Sequence, residues 1–123
     1  EKEGGLTKAE REMIVVATSG ANDCLYCIVA HGAILRIYAK NPLVADQVAT
    51  NYLKADITPR QRAMLAFALK VALHSSEVGE DDFVALAAHG VELALVRMAR
   101  VHALQQAAAQ VGRGGVGQVH GAR

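Results

Sequence analysis

The sequence contains no tryptophan and only 4% aromatic residues, which excludes a core built on stacked rings. Two prolines, Pro42 and Pro59, leave long stretches free to form helices. Two cysteines, Cys24 and Cys27, are too few for the disulfide framework of a small secreted domain. The longest apolar run, Ala63 to Leu73, is broken by Lys70 and is too short to span a bilayer, so no membrane partner is expected. Charge of one sign is missing too. Thirteen basic residues stand against 12 acidic ones, for a net charge of +1 and no general attraction to nucleic acid. The basic residues beyond Glu92 (Arg97, Arg100, Arg113 and Arg123) read as a solvated basic end. No apolar leader opens the chain, since Glu1-Lys2-Glu3-Gly4-Gly5 is polar, and the expected location is the cytoplasm. Glu1 is no natural initiator, which leaves open an N-terminally truncated subunit.

What is present is alanine and helix punctuation. Apolar residues make up 52% of the 123 residues, enough for one domain with a real core and an apolar subunit interface. Alternation of apolar and polar residues is absent, so the expected class is all-α, with about six helices. Thr7-Lys8-Ala9-Glu10 is a capping box opening a helix that carries Met13, Ile14, Val16 and Ala17 and ends near Ser19-Gly20. Asn22 or Asp23 is the expected cap of a second helix running from Cys24 to about Ala39. Asn41-Pro42 predicts a third helix to about Lys54, with Leu43, Val44, Val48 and Tyr52 near one face. Thr58-Pro59-Arg60-Gln61 repeats the capping box ahead of a fourth helix that ends at His74. Acids at Glu80, Asp81 and Asp82 open a short fifth helix, which stops at His89-Gly90. A sixth is expected from Val91 to about Gln110. Residues 1–111 are thus expected to form one domain, and residues 112–123, with five of the eleven glycines, a flexible tail.

The chemistry concentrates in Cys24-Leu25-Tyr26-Cys27 with His31. On a helix turning about 100° per residue, Cys27 falls about −60° and His31 about −20° from Cys24, so all three share a face. Glu12, on the preceding helix, can reach that face if the Ser19–Asn22 turn folds the helices together. A thiolate at Cys24 would gain from the helix N-terminus, and one at Cys27 from His31 one turn later; position alone does not choose between them. Three readings compete: small core cysteines with a satisfied histidine, a metal site of Cys24, Cys27 and His31 with a fourth ligand from His74, His89 or His102, and thiol redox chemistry. No second ligand cluster supports the metal, and the arrangement of all three residues behind a cap favours redox work.

The spacing Glu12-x11-Cys24-x-x-Cys27-x3-His31 resembles the signature of the AhpD-like superfamily, which includes carboxymuconolactone decarboxylases, and within it the peroxidase-related alkylhydroperoxidases. The resemblance runs from Leu6 to Gly90 and includes Leu6–Glu12, Asn22–Cys27 and Leu53 through Thr58–Ala63. It implies an AhpD-like helical bundle, assembled as a dimer, trimer or hexamer, that reduces organic hydroperoxides. Cys27 matches the attacking thiol, Cys24 the resolving thiol, and His31 and Glu12 the proton relay. No bound cofactor or metal is implied; an external dithiol, such as a lipoyl group or a thioredoxin-like protein, would restore the pair. Tyr26 stands where some relatives carry a second histidine and is an accessory candidate beside a plain packing role. Decarboxylase members generally lack the cysteine pair. Two alternatives keep the scaffold and drop the peroxide: a protein-disulfide or dithiol oxidoreductase, and a non-catalytic oligomeric binding module.

Overall fold

The structure is a computed structural model that describes residues 5–91. It contains five α-helices: α1 (Lys8–Ala21), α2 (Leu25–Ala39), α3 (Val44–Asn51), α4 (Pro59–Leu73) and α5 (Glu80–Ala88). Single 3-10 turns follow α3 at Tyr52–Lys54 and α4 at Ser75–Glu77, and no strand occurs among the described residues. The expected sixth helix and the tail at 112–123 lie outside the described residues.

Helix α1 is the hub, packing on α2, α3 and α4, while α5 packs on α4. The core takes Met13, Val16 and Ala17 from α1, Leu35 from α2, Val44 and Val48 from α3, and Met64, Leu65, Phe67 and Val71 from α4. Phe67 and Phe83 join α4 to α5 with ring centroids 5.6 Å apart. Gly20 allows a close approach of α1 to α3, since a Cβ there would sit 2.7 Å from the Ala49 carbonyl oxygen.

Both threonine capping boxes form, at Thr7/Glu10 and Thr58/Gln61, with Pro59 at the first position of α4. Two other boundaries differ from the sequence reading. Neither Asn22 nor Asp23 caps α2. Asn22 closes α1, Asp23 adopts a left-handed conformation at φ 54°, and Cys24 itself takes the N-cap position. The backbone turn governs here: the Cys24 N–H donates to the Ser19 carbonyl at 3.0 Å, which carries the chain straight from one helix into the next. Helix α3 also starts later and ends sooner than expected. Asn41 spends its side chain on the Leu43 N–H (3.0 Å), a local turn that delays the helix, and residues 52–54 tighten into the 3-10 turn. Leu43 is consequently exposed rather than in the core.

A buried ion pair joins the two edges of this unit. Glu10 is 5% exposed, accepts the Thr7 N–H at 3.0 Å, and takes Arg60 Nε at 3.3 Å. The same guanidinium donates to the carbonyl of Gly5 at 2.8 Å and to that of Gly90, at opposite ends of the described chain. A buried carboxylate is tolerated because its oxygens are satisfied in this way.

Candidate active site

Helices α1 and α2 run antiparallel, and the face between them carries the candidate residues. Glu12, in the second turn of α1, meets His31, in the middle of α2: Nδ1 lies 2.7 Å from Glu12 Oε2. The carboxylate can only accept, so Nδ1 carries the shared proton and Nε2 is left as the open base. The side chains are 39% and 19% exposed, open enough for water to reach the ring. At that exposure the pair orients the imidazole more than it stabilises the fold.

Cys24 and Cys27 occupy the N-cap and third positions of α2, about two turns and one turn before His31. Both thiols are free and half-buried. They face each other. The Cys27 thiol, and next the Cys27 backbone N–H, hold the Cys24 thiol below its ordinary pKa, against a small opposing effect of burial. The N–H falls short of a formed capping bond, so it acts as a nearby dipole. Cys27 is pushed up, first by donating to Cys24, then by burial and by the charge on Cys24; the Ser19 hydroxyl and the Cys27 N–H pull the other way. Of the two thiols, Cys24 is therefore the one that gives up its proton more easily.

The structure thus pairs Glu12 with His31 and Cys24 with Cys27, with the two pairs a turn apart on α2. Tyr26 points outward and is 82% exposed, next to Leu25 and Val29. Among the described residues no group of three or more His, Cys, Asp or Glu is arranged to hold a metal ion. His74 ends α4 and His89 ends α5, both exposed; His102 lies outside the described residues. No helix among the described residues is long and apolar enough to cross a membrane. One residue at the site was missed from sequence. Ser19 lies two turns after Glu12, about 20° from it around α1, so the register that placed Glu12 at the site also placed Ser19 there.

Five helices with a Cys-x-x-Cys pair opening the second define an all-α protein of AhpD-like fold. Residues 1–70 match the carboxymuconolactone decarboxylase family, and the chain belongs to that family. Two solved structures are similar. The alkylhydroperoxidase AhpD core of an uncharacterized peroxidase-related protein from Ralstonia eutropha JMP134 superposes with a TM-score of 0.75 at 63% identity, over 89% of this chain and 60% of that one. An uncharacterized peroxidase-related protein from Silicibacter sp. TM1040 gives a TM-score of 0.74 at 35% identity, over 89% and 59%. The chain thus spans about three-fifths of the length of these relatives. No curated protein matches it.

Proposed function

We propose that this chain carries the redox centre of a thiol-dependent peroxidase acting on organic hydroperoxides. The carrying observation is the 2.7 Å Glu12–His31 bond one helical turn from a reduced Cys24/Cys27 pair. Kinship with proteins described as peroxidase-related supports the same reading.

Cys27 is the attacking thiol in this scheme, and its proton must leave first. His31 Nε2, directly or through water, accepts that proton while Glu12 steadies the imidazolium. The Cys27 thiolate attacks the terminal peroxide oxygen. The O–O bond breaks, the alkoxide leaves as an alcohol with the proton from His31, and Cys27 becomes a sulfenic acid. Cys24 then attacks the Cys27 sulfur and its thiol proton goes to the departing hydroxide, forming the disulfide and releasing water. The lowered pKa of Cys24 suits this second step, because the resolving thiol is the more easily deprotonated of the pair. An external dithiol, lipoyl or thioredoxin-like, returns two electrons by exchange. Leu25 (74% exposed) and Tyr26 flank the sulfurs as an apolar landing surface for that reductant. Farther along α2, Ile37 (73% exposed) and Tyr38 extend an apolar outer face suited to homo-oligomer assembly.

The test is turnover of cumene hydroperoxide by the purified protein with excess dithiol. Wild-type protein should consume peroxide, and Cys24→Ser should accumulate a dimedone-trappable sulfenic acid on Cys27. Full turnover by Cys27→Ser would show that the attacking sulfur is misassigned.

A further inference from the structure

The edge of the α1–α2 pair that carries the relay continues past it. Measured from His31 around α2, Cys27 falls about −40°, Ile34 about −60° and Tyr38 about −20°, so the four form one stripe along the helix. Beyond the thiol and the imidazole this stripe is apolar and exposed, at Ile34 and Tyr38. It ends at a cation. Lys8, exposed and one turn before Glu12 on α1, holds its ammonium 5.7 Å from the centre of the Tyr38 ring. Glu12 is the carboxylate one turn on from Lys8, but it is bonded to His31 at 2.7 Å, and Lys8 makes no ion pair among the described residues.

We propose that Lys8 is a specificity-determining residue that binds the acid group of a carboxylate-bearing alkyl hydroperoxide, with the alkyl chain laid along Ile34. This rests on the peroxidase reading and names a substrate class for it. The lengths agree. Along α2, Tyr38 lies about 10 Å beyond His31 and about 16 Å beyond Cys27, so a peroxide held between thiol and imidazole stands about 10–16 Å from the ammonium. In a fatty-acid hydroperoxide such as 13-hydroperoxyoctadecadienoic acid, bonds of about 1.5 Å set the acid roughly 15 Å from the peroxide when the chain is extended. The apolar stretch between the two polar ends takes chain methylenes out of water. The Tyr38 ring keeps the ammonium at the end of the stripe without neutralising it, as a carboxylate partner would, so the charge stays available to an anionic substrate.

That acid and its methyl ester share chain and peroxide and differ only in charge, so the ratio of their kcat/KM values under excess dithiol reads the contact. One solvent-exposed ion pair predicts a preference of about fivefold for the acid. Lys8→Met should bring the ratio to about one through KM, Lys8→Arg should keep it, and Lys8→Glu should invert it. Salt at about 0.5 M should narrow the wild-type ratio. A wild-type ratio of one, a methionine variant that loses acid and ester turnover equally, or an arginine variant that behaves like methionine would each overturn the proposal. The corresponding hydroxy acid cannot oxidise a thiol, so its binding reads the same contact without turnover; by calorimetry it should weaken about fivefold in Lys8→Met. Absence of turnover of the acid, the ester and cumene hydroperoxide in the wild type would sink the peroxidase reading, whereas hydroxy-acid binding that ignores Lys8→Met would sink the role of Lys8.

Discussion

Two helical glycines beside the site should respond with opposite signs to the same substitution. Gly20 lies near the end of α1 and Gly32 follows His31 in α2; neither has a left-handed φ, so alanine fits both backbones. At Gly32 an added Cβ meets the Ala45 Cβ at 3.5 Å and Arg36 Nη1 at 3.6 Å, which is ordinary contact. Alanine is better than glycine in a helix interior by about 1 kcal/mol, so Gly32→Ala should stabilise by about that much. At Gly20 the Cβ would lie 2.7 Å from a backbone oxygen of α3, which cannot swing aside as a side chain would. A carbon and a carbonyl oxygen rest no closer than about 3.3 Å, so the helices must separate by roughly half an ångström. Overpacking of this kind costs about 1–3 kcal/mol, and the helix preference recovers little of it in the last turn of α1. In thermal unfolding at one fixed protein concentration, each kcal/mol moves the midpoint by about 4–8 °C in a domain of this size. Gly32→Ala should therefore rise by several degrees and Gly20→Ala fall by several. A Gly32→Ala midpoint below that of the parent, or a Gly20→Ala midpoint above it, would refute the packing argument.

Three further outcomes follow from the site and its supports. Glu12→Gln keeps an acceptor for His31 but removes the charge that steadies the imidazolium, so peroxide turnover under excess dithiol should drop by about 10²-fold with the fold intact by circular dichroism. Limiting iodoacetamide near neutral pH should label Cys24 before Cys27 in the reduced wild type, since the former thiol is lowered and the latter raised; peptide mass spectrometry reads the order. The carboxyl of Asp82 is held below its ordinary pKa by the Gly79 N–H first and by Lys70 second, each at 2.9 Å. A depressed folded pKa contributes stability above the unfolded value of about 4, lost as pH falls through the folded value. Asp82→Asn should thus lower stability by about 1 kcal/mol at pH 7, with the gap to the wild type closing in urea melts run below about pH 4.

The boundaries legible in the sequence were those written in side-chain chemistry. Thr7 with Glu10 and Thr58 with Gln61 fixed the starts of α1 and α4 because their caps are local bonds between residues three apart. Acids at 80–82 and Gly90 bracketed α5 for the same reason. The start of α2 was hidden because backbone geometry decides it: Asp23 turns left-handed and Cys24 is held by a main-chain carbonyl, features that no side-chain pattern announces. Helix α2 is apolar nearly all round, so its sequence could not show that only Gly32 and Leu35 are fully buried. Within the site, Glu12 and His31 were legible from their spacing to the cysteines. Ser19 was not, since a small polar residue in the last turn of a helix looks like ordinary termination until its register with Glu12 is considered.

The Arg60 guanidinium has a topological consequence. Because it binds the carbonyls of both Gly5 and Gly90, the path enters and leaves the described unit at one spot, and the helices between form an almost closed ring. Such a ring can be cut elsewhere and rejoined. Opening it between Lys40 and Asn41, where a left-handed residue already ends α2, would leave every described helix whole, and a short linker could bridge the old ends. The same adjacency makes the unit a cassette that could be spliced into a loop of another protein with its thiols in place.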